Sequence, residues 1–193
     1  MREFRRAALI VALANLAFFG IEFAVAIAIG SVSLFADSID FLEDTAVNGL
    51  IVIAAGWSVQ RRGMVGTLLS GVLLVPAAAA IWTAVGKLFA PVAPAPEPLM
   101  LTGLAALAVN LGCAFLLARY RRHHGSLSRA AFLSARNDAI ANVAIIAAGA
   151  ATLVVRNAWP DLIVGVGIGV MNAGAAREVF KAARKERLAD SAE

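Results

Sequence analysis

The sequence predicts an all-α integral membrane protein, a bundle of six transmembrane helices with both termini in the cytoplasm. Three observations predict it. The 193 residues are 61% hydrophobic with a mean hydropathy of +0.81, above the roughly 45–50% apolar content of a soluble domain. The apolar residues fall into six runs, each of about the 20 residues needed to cross a hydrocarbon core. The positive charges gather in alternate connections between those runs, as they do in membrane proteins that follow the positive-inside rule.

Arg2, Arg5 and Arg6 lead into the first run, 7–29. It is longer than a signal-peptide core and lacks a small-residue cleavage site, so it is expected to stay in the mature protein. The second run, 33–57, is followed by Arg61 and Arg62, and the third, 64–90, by the Pro-rich segment Ala90–Pro98, which has no positive charge and belongs outside. The fourth, 99–118, precedes Arg119, Arg121, Arg122 and Arg129. The fifth and sixth, 130–155 and 160–177, are followed by a tail carrying Arg177, Lys181, Arg184, Lys185 and Arg187. Residues 1–177 thus read as one membrane domain, and 178–193 as a basic cytoplasmic tail too short for its own core, lying at the lipid surface. The pI near 10 reflects these topology charges rather than a nucleic-acid surface. Cys113, the single cysteine, excludes an intramolecular disulfide and a cysteine metal cluster and reads as a packed thiol.

The second run carries Asp37, Asp40, Glu43 and Asp44. A carboxylate at the centre of a spanning helix costs about 2.5–3.5 kcal/mol on insertion scales, so such residues point to handling of a cation. With a rise of 1.5 Å per residue, Asp40 lies about 14 Å and Asp44 about 20 Å below the outer edge, while Asp138, on the antiparallel fifth helix, lies about 14 Å above the inner edge. Asp138 is thus level with Asp40, and Ser134 with Asp44. Asp40 and Asp44 share one helix face, as do Ser134, Asp138 and Asn142. Facing helices with that spacing can supply the ligands of a metal site. Asn15-Leu16 precedes Asp44 by the same interval, to within one residue, as Asn110-Leu111 precedes Asp138, the pattern of an inverted three-plus-three repeat.

The segments GSVSLFADSIDFLED (30–44) and SLSRAAFLSARND (126–138) resemble the cation diffusion facilitator family, and the resemblance extends over all six helices. It implies a divalent metal held by two residues on each of helices two and five and exchanged for protons. Carried over, Asp40, Asp44 and Asp138 take three of those places. Ser134 takes the fourth, where the family has His or Asp, which leaves the coordination number and the choice of metal open. The resemblance favours Zn²⁺ or Cd²⁺, whereas a site of carboxylates alone also suits Mn²⁺, Fe²⁺ and Co²⁺. Water, Ser134, Asn142 or Asn15 is expected to complete the shell. No cofactor is expected to be permanently bound, and the expected partners are the bilayer, the metal, protons and a second copy of the chain, held through membrane helices. The family's cytoplasmic C-terminal domain has no counterpart in this sequence, so a short membrane-domain form is expected, in a cell membrane such as the bacterial inner membrane.

Asp37 and Glu43 read as residues that cap or hydrate the helix. Glu22 reads either as part of a water-facing path or as an interhelical hydrogen-bond partner. Asn15, Asn48 and Asn110 read as interhelical glue, and Arg136 as a side chain that snorkels to the interface. His123 and His124 belong to a solvated basic loop. Gly165, Gly167, Gly169 and Ala173 offer a small-residue face to the sixth helix. Two other functions are consistent with parts of this pattern. A proton-coupled organic-cation exporter would use Glu22 among Phe18, Phe19 and Phe23, but it leaves Asp40, Asp44 and Asp138 without a purpose. An intramembrane metal-dependent phosphotransferase would need a fuller motif than Asp37-x-x-Asp40 followed by Phe41.

Overall fold

The computed structural model describes residues 2–53, 78, 81–89, 91–119 and 125–171, and side chains throughout these except at 125–135. The described residues form six helices: α1 (Arg2–Ile29), α2 (Val32–Ile53), α3 (within 81–89), α4 (Pro96–Ala118), α5 (Gly125–Val155) and α6 (Trp159–Met171). Where residues are described, helices lie in the spans read from hydropathy, with α1 and α5 starting five residues earlier and α4 three. Arg61, Arg62, most of the third span, His123, His124, Ala173 and the basic tail lie outside the described residues. By length and hydropathy α1, α4 and Arg136–Val155 of α5 can each cross a bilayer, at mean hydropathies of 2.2, 2.0 and 1.9. Helix α2 is also long enough, at 22 residues, but four carboxylates lower its hydropathy. The chain is a multi-pass membrane protein.

Its first two helices form a tight hairpin. Gly30 takes the left-handed conformation (φ 65°) that a side chain would strain. It donates to Ile27 O at 3.3 Å while Ser31 N donates to Ala26 O at 2.9 Å, a Schellman closure of α1. Ser31 then caps α2, its hydroxyl accepting from Leu34 N at 3.1 Å. Pro96 opens α4 from extended Ala95, where the missing N–H of proline loses no bond. Arg156 closes α5 in the left-handed region (φ 51°), and Asn157 Oδ1 accepts from Trp159 N at 3.1 Å to start α6.

Helices α1, α2, α4 and α5 form the centre, α1 packing on α2 and α4 on α5, with α1 against α4 and α2 against α5. Phe4, Val11, Ile51 and Leu117 fill one end of this core, and Ala26, Leu34, Leu99 and Ile145 the other. Between them Phe18 stacks on Phe41, ring centroids 4.9 Å apart, over Ala106. Helices α3 and α6 lie against the start of α2 through Ala84, Leu162 and Val32. The glycines of α6 do not act as one packing face. A Cβ on Gly165 would stand 2.7 Å from the Val32 carbonyl carbon and 2.8 Å from Ser33 N, whereas Gly167 and Gly169 meet nothing within 4 Å. Positions 165 and 167 point to different sides of a helix, which the small-residue pattern alone does not separate.

The sequence reading passed over Asp161, which joins three helices. Fully buried, it accepts from Ser31 Oγ and Ser33 Oγ at 2.6 Å each, Val32 N at 2.8 Å and Ser33 N at 3.1 Å. Lys87 Nζ of α3 pairs with it at 3.5 Å. The carboxylate of α6 thus sits on the N-terminus of α2, where free N–H groups and the helix dipole favour an anion. Asp161→Ala would leave those donors and a largely enclosed ammonium unpaired, and is expected to cost about 3–5 kcal/mol, read as a lower unfolding temperature in detergent. Lys87→Met should cost much less, because Asp161 keeps its four hydrogen bonds.

Candidate metal centre

The antiparallel α1–α2 hairpin sets the register of the polar residues. Residues nearly equidistant from Gly30 face each other: Phe18 with Phe41, Asn15 with Asp44, and Glu22 with Asp37. Asn15 Nδ2 donates to Asp44 Oδ2 at 3.3 Å, and the Cys113 thiol of α4 donates to Asn15 Oδ1 at 3.7 Å. Asn15 is completely enclosed and Asp44 only 5% exposed, so this amide fixes the orientation of the carboxylate. Asn48 Nδ2 donates to the Asp44 main-chain oxygen at 2.9 Å, and Thr45 Oγ1 to Phe41 O at 2.7 Å. Asn48 therefore bonds within its own helix rather than between helices.

Asp40 and Asp44 share a face of α2, which packs against α5. Asp138 of α5 is a charged neighbour of Asp40, and Asp44 of Asp138. Asp40 and Asp138 are half-buried. The three carboxylates lie within electrostatic reach of one another. Among the described residues, however, no three His, Cys, Asp or Glu side chains close into a metal cage. The side chain of Ser134, on α5 one turn before Asp138, lies outside the described residues.

Asn142 is engaged on both sides of its amide. Its Oδ1 accepts from Asn110 Nδ2 of α4 at 2.9 Å, and its Nδ2 donates to Asp37 Oδ2. This chain ties α4, α5 and α2 together. Asn110, read as interhelical glue, thus bonds from α4 to α5. Asp37, read as a capping or hydrated residue, is instead wholly enclosed, and so is Glu22; the hairpin register turns both inward. Glu22 thus faces a neighbouring helix. Phe19 packs on Phe23 and Phe23 on Phe35, so these rings pack on one another. Arg136 is exposed and donates to Asn137 Oδ1 at 3.3 Å.

Breaking one end of the Asn110–Asn142 bond strands the other amide in the protein interior, which costs about 1–3 kcal/mol. Asn110→Ala and Asn142→Ala are therefore expected to be strongly non-additive, with a coupling of roughly 0.5–3 kcal/mol in a double-mutant cycle on unfolding in detergent. Additive losses would show that the two amides act independently.

A search of curated proteins finds no match to this chain. The family model of the cation efflux transmembrane domain matches residues 8–186, which span all six helices. Members of this family transport metal cations and are not enzymes. A match that covers most of the chain, on a six-helix membrane bundle with carboxylates facing across α2 and α5, makes this protein a member of the cation efflux family.

Proposed function

We propose that the protein exports a divalent metal ion from the cytoplasm in exchange for protons, with Asp40, Asp44 and Asp138 as metal ligands. The observation that carries this reading is the meeting of α2 and α5 with Asp40 and Asp44 on one side and Asp138 on the other, in mutual electrostatic reach. Ser134 and water complete the shell. Asn15 positions Asp44 through its 3.3 Å bond, and Asn142, with its amide already engaged, positions Asp37. Neither amide is assigned to the metal.

Exchange follows from chemistry at a single set of oxygens. A carboxylate must lose its proton to bind metal, so the two ligands compete, and metal affinity falls as the pH falls. On the cytoplasmic side metal displaces protons; on the outer side protons displace metal, and the protonated site returns. Oxygen donors without imidazole or thiolate accept Zn²⁺ and Cd²⁺ as well as Mn²⁺, Fe²⁺ and Co²⁺. Zn²⁺ or Cd²⁺ is the favoured cargo on the sequence resemblance. Both termini lie in the cytoplasm, and the working unit is a homodimer held by membrane helices.

In proteoliposomes loaded with a pH-sensitive dye, a gradient of the transported metal should drive proton movement. Asp40→Ala, Asp44→Ala and Asp138→Ala should each reduce that movement to the background of empty vesicles while the protein remains folded in the membrane. Full activity in any two of the three would overturn the ligand assignment.

A further inference from the structure

Glu22 of α1 and Asp37 of α2 face each other within hydrogen-bonding reach, both completely enclosed. Asp37 Oδ2 receives the Asn142 amide. Asp37 Oδ1 and both oxygens of Glu22 have no donor. The charged groups turned toward the pair are themselves acidic, Asp40 from α2 and Asp138 from α5. The polar group contributed by α5 is the neutral Asn142, and Asn110 of α4 reaches only Asn142. Lys87 is occupied with Asp161 at the start of α2.

Ionised carboxylates only accept hydrogen bonds, so a facing pair away from water is held together by whatever positive ligand lies between them. A metal ion needs more donors than two side chains offer, and among the described residues no third acidic, His or Cys side chain joins them as a cage. A proton needs only the two oxygens it bridges.

We infer that Glu22 and Asp37 form a proton-binding site separate from the metal centre, in which a single proton is shared between the two carboxyls. The proton comes from water, and no other bond changes. The Asn142 amide stabilises the ionised form of Asp37, so Glu22 carries the proton and donates it to Asp37 Oδ1. The site stands one helical turn toward the Gly30 hairpin from Asp40.

Infrared spectroscopy of the whole protein in lipid, without metal, tests this. Near neutral pH the wild type should show a carboxylic-acid carbonyl band that shifts on deuterium exchange. Glu22→Gln should remove this pair's contribution to the band, and Asp37→Asn should remove or displace it. Both variants supply an amide donor in place of the proton, so both should fold, which the unfolding temperature checks. Absence of the band from the wild type at neutral pH, or a band unchanged in both variants, would overturn the inference. Because no metal is added, that failure is distinct from a failure of metal exchange.

Discussion

A carboxylate removed from water needs a donor, a counter-charge or a proton, and this constraint orders the interior of the bundle. The effective penalty for an uncompensated buried ion is several kcal/mol, more than a transmembrane helix pair recovers from one ordinary polar contact. Each acid near the core is accordingly built into a contact between helices. Asp161 takes four hydrogen bonds and Lys87 at the start of α2. Asp44 takes the Asn15 amide, and Asp37 the Asn142 amide. Asp40 and Asp138 are left partly open, and that exception suits residues whose partner is a mobile cation.

The hairpin at Gly30 governs how these acids are distributed. Once Gly30 closes α1 and Ser31 opens α2, the antiparallel register follows, and residues nearly equidistant from the turn meet. The Phe18–Phe41 stack holds that register between the Asn15–Asp44 bond and the Glu22–Asp37 pair. A slip of one residue along either helix would turn these side chains by about 100° and separate all three contacts. Asp161 secures the same turn from α6, while Gly165 lets α6 approach the backbone at Val32 and Ser33. The Gly30 end of the bundle is thus tied by buried polar bonds from α3 and α6, and the deeper half carries the partly exposed carboxylates.

The six helices were legible because apolar runs of spanning length and loop charges each report directly on a bilayer. Asp40, Asp44 and Asp138 were legible as a group because depth along a straight helix is a linear function of residue number. Contacts that depend on rotation between helices were not. Asn110 reads as interhelical glue, but its partner, Asn142 of α5, is not named by spacing along the chain. Gly165 and Gly167 read alike in the sequence but face different surroundings. Asp37 was read as hydrated because it lies nearer the helix start, although reflecting the sequence about Gly30 would have set it opposite Glu22. Asp161 follows a Trp-Pro pair at a helix start and looks like an ordinary first-turn acid. Its signal was Lys87, an isolated cation in an apolar segment that required a buried partner.

The central claim is that the transported ion is held by carboxylate oxygens of α2 and α5. X-ray absorption spectroscopy on the metal-loaded protein tests it without recourse to transport. The account predicts a first shell of oxygen atoms alone, lost in Asp44→Ala. Imidazole scattering from His123 or His124, or a sulfur neighbour from Cys113, would place the metal elsewhere and contradict the account.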